Sequence, residues 1–148
     1  MQISEILSPD RVRCDIDNQS KKAALETLSS LIADADSGIS QGEVFDSLIA
    51  RERLGSTGLG EGIALPHGRL KNADHALGAF IRLRSAIDYD AVDQKPVDLL
   101  FALLVPEEST EEHLQILSKL AELFSKPEML GKLRSEGDTA GIFSLLTE

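Results

Sequence analysis

Tryptophan is absent from this 148-residue chain and aromatic residues make up only 4% of it, so its core must be aliphatic. The same shortage removes the flat rings on which unpaired bases stack, which weighs against single-strand nucleic-acid binding. A basic excess is also lacking: the formal net charge is -10. Such a surface repels phosphate backbones and anionic membranes and favours partners with basic or apolar patches. The single cysteine, Cys14, cannot close an internal disulfide, which fits a reducing compartment. With no motif around it, Cys14 reads as a small apolar filler in a strand. No basic stretch followed by an apolar one opens the chain. The longest apolar run, residues 99–105, falls far short of the roughly 20 residues that cross a bilayer. The expectation is a soluble cytoplasmic protein without membrane insertion and without nucleic acid as a partner.

Hydrophobic residues, at 42%, suffice for a full core, and the length suits one domain spanning residues 1–148. Residues 11–16 alternate polar and apolar and predict a half-buried strand. Ser20 is placed to cap a helix carrying Ala24, Leu25, Leu28, Leu31 and Ile32 at helical spacing, with Gly38 punctuating its end. Ser40-Gln41-Gly42-Glu43 is a capping box, and the helix it opens should stop near Leu54, before Gly55. Residues 56–62 read as a glycine-rich loop, 63–65 and 77–83 as strands, and 87–95 as an acidic turn. Residues 97–105 are almost continuously apolar, the pattern of a central strand covered on both faces. Ser109-Thr110-Glu111-Glu112 predicts a second capping box, Pro127 the first turn of a further helix, and Asp138 the cap of the last. Together these describe an α/β fold, a sheet sandwiched by helices.

Three histidines narrow the chemistry. His67 stands between Pro66 and Gly68 after three other glycines, which predicts a rigid turn with open space beside the ring. A neutral imidazole so presented can act as nucleophile or base; the alternative is a turn histidine that only satisfies a loop hydrogen bond. His113 falls in the first turn of its helix, where free amides and the helix dipole favour an anion; otherwise it is a surface residue. Arg51 and Arg53 end the second helix, and either can turn back toward the glycine loop to bind phosphoryl oxygens in pairs, or merely complement the helix dipole. His75 sits in a polar turn and reads as solvated surface. No two histidines have ligand spacing on one element, so no metal is expected. Gly58-x-Gly60-x-Gly62 is not a dinucleotide fingerprint and no phosphate-binding P-loop motif occurs, so no nucleotide cofactor is expected either.

The stretch from Arg51 to Gly68, RERLGSTGLGEGIALPHG, resembles the signature of the mannitol/fructose class (type 2) of enzyme IIA in the bacterial phosphoenolpyruvate phosphotransferase system. Glu111-Glu112-His113-Leu114-Gln115-Ile116-Leu117 resembles its second block, and the likeness runs from Ile3 to the last helix. Gly55-Ser56-Thr57-Gly58 makes the chain most similar to the nitrogen-type, regulatory branch. The resemblance implies a mixed parallel and antiparallel sheet flanked by helices. It implies a phosphoryl carrier in which His67 receives the group at Nε2 from a histidine phosphocarrier protein. Arg51 and His113 match the phosphate-neutralising positions, and Glu61 an acidic loop position of open role. Phosphorylation would then govern binding to regulatory target proteins of nitrogen and potassium metabolism. A sugar-specific enzyme IIA feeding a separate permease uses the same site, and a non-catalytic binding module is the alternative of a different class. Transfer between imidazoles requires no cofactor.

Overall fold

The ten-residue strand β6 (Val97–Pro106) organises the chain. Its side chains alternate between two apolar layers: Leu100, Ala102 and Leu104 enter one core, Leu99, Phe101 and Leu103 the other. A strand buried on both faces needs a helical layer on each side, and the computed structural model, which describes residues 2–36, 38–108 and 111–148, has both.

Antiparallel to β6 runs β5 (Leu77–Ile87), with β1 (Val12–Ile16) parallel to β5 at the edge. On the other side of β6, β3 (Ile63–Ala64) and then β4 (His67–Leu70) pair parallel to it, and β2 (Gly58–Gly60) folds back on β3. The sheet is therefore mixed, as the resemblance implied.

One face is covered by α2 (Lys21–Asp34) and α3 (Gln41–Glu52), which bury Leu25, Leu28, Ile32, Val44 and Leu48 against it. The other is covered by the single turn α1 (Ile3–Ile6), α4 (Glu111–Phe124), α5 (Pro127–Ser135) and α6 (Thr139–Thr147). Phe101 of β6 meets Phe124 of α4 with ring centroids 5.9 Å apart. Ser20 accepts from the Ala23 amide, Ser40 and Glu43 form the reciprocal box, and Asp138 accepts from the Gly141 amide, so these three helix starts are fixed by local hydrogen bonding. Ser109 and Thr110, the start of the other expected box, lie outside the described residues. Cys14 sits in β1 and packs against the second core, as an apolar filler would.

Two expectations change. The glycine-rich stretch is a hairpin, not a loop: Gly60 pairs with Ile63, and the two residues between them, Glu61 and Gly62, take φ of 59° and 85°. Positive φ at both positions is what a tight hairpin turn demands, and Gly62 supplies it at no steric cost. The acidic segment after β5 also hides a core residue, since Tyr89 is fully buried. Among the described residues no helix is long and apolar enough to cross a membrane.

Candidate functional site

The site begins with a break in a ladder. Ile63 and Ala64 pair with Leu99 and Leu100; His67 and Gly68 pair with Leu103 and Leu104, at the same offset. Pro66 has no N–H to donate, so pairing lapses there, but its carbonyl accepts the Leu103 amide at 2.9 Å and the register carries through. His67 therefore opens strand β4 instead of occupying a turn, and the sheet itself holds its backbone. The bend at Leu65-Pro66 also brings the Leu65 carbonyl oxygen to 2.9 Å from His67 Nδ1. A carbonyl only accepts, so Nδ1 carries the proton and Nε2 keeps its lone pair.

Gly68 does not leave space for an incoming group. A Cβ there would lie 2.3 Å from Ser47 Oγ. The missing side chain lets α3 lie directly on β4, where the Ser47 hydroxyl donates to the Arg69 carbonyl at 2.7 Å. One helical turn beyond Ser47 on the same face comes Arg51.

Arg51, His67 and His113 all line one groove of about 560 Å³ between α3, β4 and the start of α4. Its walls include Ala50, Leu103, Val105 and Leu117, and Arg69 and the largely exposed Leu54 and Leu114 line it as well. Arg51 turns back as one of the two arginines was expected to: its Nη1 donates to the Gly55 carbonyl at 2.9 Å. That bond occupies one of five guanidinium N–H donors. Arg53 is exposed and does not line the groove. Burial holds the His67 pKa below its ordinary value of 6.5; the Leu65 carbonyl opposes this, Arg51 adds to it, and Glu52 opposes it. The ring is consequently neutral at pH 7, as a nucleophile must be.

Glu61 lies elsewhere. Its amide donates to Asp93 at 2.9 Å, its carbonyl accepts from Arg134 at 2.6 Å, and its carboxylate is 3.7 Å from Lys95. His75 is exposed, with Nδ1 2.5 Å from Asp74. Asp36, Asp74 and His75 form the one group among the described residues whose ligand atoms approach within 4.8 Å of one another; all are partly or fully exposed and none lines the groove.

Sequence reasoning missed Glu52. Its carboxylate is buried against Lys21 Nζ at 2.7 Å and accepts from the Tyr89 hydroxyl at 3.0 Å and the Thr57 amide at 3.2 Å. Burial and the Glu52 charge push the Tyr89 pKa far up, so the phenol remains a donor. The signal was available: Glu52 continues the apolar face of α3, four residues after Leu48 and eight after Val44, where a carboxylate needs partners.

Comparison with known proteins follows the same lines. Residues 5–148 match the family described as "Phosphoenolpyruvate-dependent sugar phosphotransferase system, EIIA 2". A nitrogen regulatory protein of Klebsiella oxytoca is 41% identical over 149 residues, covering 100% of this chain and 91% of that protein. Another, from Pseudomonas aeruginosa, is 38% identical over 148 residues, covering 100% of this chain and 96% of its own length. The crystal structure of nitrogen regulatory protein IIA-Ntr from Neisseria meningitidis superposes with a TM-score of 0.93 at 44% identity, covering 98% of this chain and 99% of that one. The chain belongs to the EIIA 2 family of the phosphoenolpyruvate-dependent sugar phosphotransferase system.

Proposed function

We propose that this chain is a phosphoryl carrier of the nitrogen-type branch, taking the group on His67 from a histidine phosphocarrier protein in the cytoplasm. The observation that carries the reading is the His67 ring itself: Nδ1 is held on the Leu65 carbonyl, and the ring lines the same groove as Arg51 and His113. In the transfer, the Nε2 lone pair attacks phosphorus in line. The Nε2–P bond forms as the P–N bond to the donor's imidazole breaks, and the donor ring recovers its electron pair. Nδ1 keeps its proton on Leu65 throughout. Phosphoryl transfer asks a protein mainly for alignment and for cationic or N–H groups around the equatorial oxygens. Arg51 and His113 supply those here.

The transferred group adds close to two negative charges to a molecule already at -10. Charge at the groove then selects between regulatory target proteins, one phosphorylation state docking and the other repelled. The names of the relatives support nitrogen regulation as the setting, and potassium metabolism is the further target of this proposal.

The test is incubation of the chain with phosphoenolpyruvate, enzyme I and a phosphocarrier, read by intact mass. One acid-labile phosphoryl group is expected on the wild type and none on His67→Ala. Equal labelling of both proteins would remove His67 from the role. Onward transfer to a purified sugar permease component would move the chain to the sugar-specific reading.

A further inference from the structure

A buried carboxylate paired with a lysine is a poor source of stability, because desolvation offsets most of the attraction. Glu52 is such a group, with its side chain only 3% exposed. What it holds is specific. Both of its oxygens accept from the Thr57 amide, at 3.2 and 3.3 Å. The Thr57 carbonyl accepts the Leu65 amide at 3.0 Å, and the Leu65 carbonyl accepts His67 Nδ1–H at 2.9 Å. Three hydrogen bonds thus connect the carboxylate to the imidazole through two residues, each gripped at both its N–H and its C=O. The far end is anchored as firmly. Lys21 Nζ reaches Glu52 and the Tyr89 carbonyl, and it lies 4.3 Å from the centre of the Tyr89 ring. The Tyr89 and Thr57 hydroxyls, 3.2 Å apart, both bond to Glu52.

The arrangement answers a chemical need. Free neutral histidine prefers its proton on Nε2, the tautomer that cannot attack phosphorus there. Holding the proton on Nδ1 requires an acceptor at a fixed place, and the Leu65 carbonyl is fixed only as well as the two-residue link between β3 and β4 that carries it. We propose that Glu52 is a positioning residue for His67, acting through Thr57 and Leu65 to keep the proton on Nδ1 and the lone pair on Nε2. Glu52 touches no reacting atom, and its contribution lies in where Leu65 is placed. For its consequence in transfer the proposal rests on His67 being the phosphoryl acceptor. The tautomer is a property of the unphosphorylated chain and is tested without any donor.

The measurement is the long-range proton–nitrogen NMR spectrum of the three imidazoles in the full, nitrogen-labelled chain, at a pH where they are neutral. Wild-type His67 should be a single Nδ1–H tautomer; a proton on Nε2 overturns the proposal outright. In Glu52→Gln, His67 should move toward the Nε2–H tautomer. The Thr57 and Leu65 amides should exchange about five- to tenfold faster, the loss expected when one hydrogen bond leaves the set. His75 should be unchanged. A folded Glu52→Gln with the wild-type His67 tautomer overturns the proposal, whatever its melting temperature. If that variant does not fold, Glu52→Asp replaces it, keeping the charge beside Lys21 but withdrawing the carboxylate by one methylene from Thr57; the same two outcomes decide. Arg82→Ala, which takes donors from the Leu133 and Glu136 carbonyls and touches none of these residues, separates position from general weakening. It should lower the melting temperature and leave the tautomer alone, and a tautomer shift equal to that of Glu52→Gln overturns the proposal. Failure of the wild type to accept a phosphoryl group would sink the carrier reading and leave the tautomer results standing.

Discussion

Two arginine-bearing cavities of similar size lie in different parts of this molecule, and they use their cations in opposite ways. The groove of about 560 Å³ holds Arg51, Arg69 and His113 among mainly apolar walls, and Arg51 makes one bond to a carbonyl beside it. The other cavity, of about 510 Å³, is lined by Arg82, Arg84 and Arg134 together with Asp15 and Asp98. There Arg82 closes the end of α5 by donating to the Leu133 and Glu136 carbonyls, Arg134 pairs with Asp98 at 3.0 Å, and Arg84 pairs with Asp15 at 3.0 Å. Neither cavity volume nor the number of arginines marks an anion site. On the proposed reading, the mark is a guanidinium with donors left over beside the imidazole that accepts the group.

Substitutions sharpen this contrast. The largest effect belongs to Arg51→Ala, which should slow phosphoryl acceptance by about 10²–10³ while leaving the fold intact, the usual loss for one preorganised charge stabiliser. Rapid-quench labelling measures it, and an unchanged rate would remove Arg51 from the role and leave Arg69 as the guanidinium in the groove. Arg82→Ala should do the reverse: it leaves α5 carbonyls without their donor, costs about 1–3 kcal/mol in urea unfolding, and does not alter acceptance. Gly68→Ala bridges the two cases. Its methyl group forces α3 from β4, so we expect about 1–3 kcal/mol of destabilisation and slower acceptance together, because Arg51 moves with the helix. Arg84→Ala removes only exposed pairs with Asp15 and Asp17 and should change neither stability nor rate measurably.

A further effect is that of pH. The folded His67 pKa lies below its unfolded value of about 6.5, so the unfolded chain binds the proton first as pH falls. Stability should therefore decline from about pH 6.5 down to the folded pKa, and His67→Asn should lack this part of the slope. Acceptance of the phosphoryl group should persist somewhat below pH 6.5 for the same reason. A wild-type stability profile that superposes on that of His67→Asn would show that burial does not perturb the ring.

What the sequence revealed, and what it hid, divides by the range of the interactions. Ser20, the Ser40–Glu43 box, Pro127 and Asp138 mark helix starts through chemistry completed within four residues, and all were legible. The double-faced burial of β6 showed in its unbroken apolar run. By contrast, His67-Gly68-Arg69-Leu70 has no apolar alternation; it is a strand only because the β3–β6 ladder continues into it across Pro66. Gly58-Leu59-Gly60 likewise pairs without β-forming side chains, through the turn at Glu61 and Gly62. Tyr89 sat inside an acidic run, and its burial depends on Glu52, Thr57 and Lys21, residues 32 to 68 positions away. The groove residues were singled out from local pattern and given their roles by the resemblance, but their convergence needed α3 to close on Gly68, a tertiary contact that no local pattern encodes.

The constant offset of β3 and β4 along β6 carries one more consequence. Side chains on a strand change sides with every residue, so a single inserted amino acid between Ala64 and His67 would rotate the imidazole to the opposite surface of the sheet, toward α2 and α3. The spacing of those two residues thus acts as a molecular ruler: it sets which way the ring looks, and a chain that altered it by one would keep every functional side chain and still face the wrong direction.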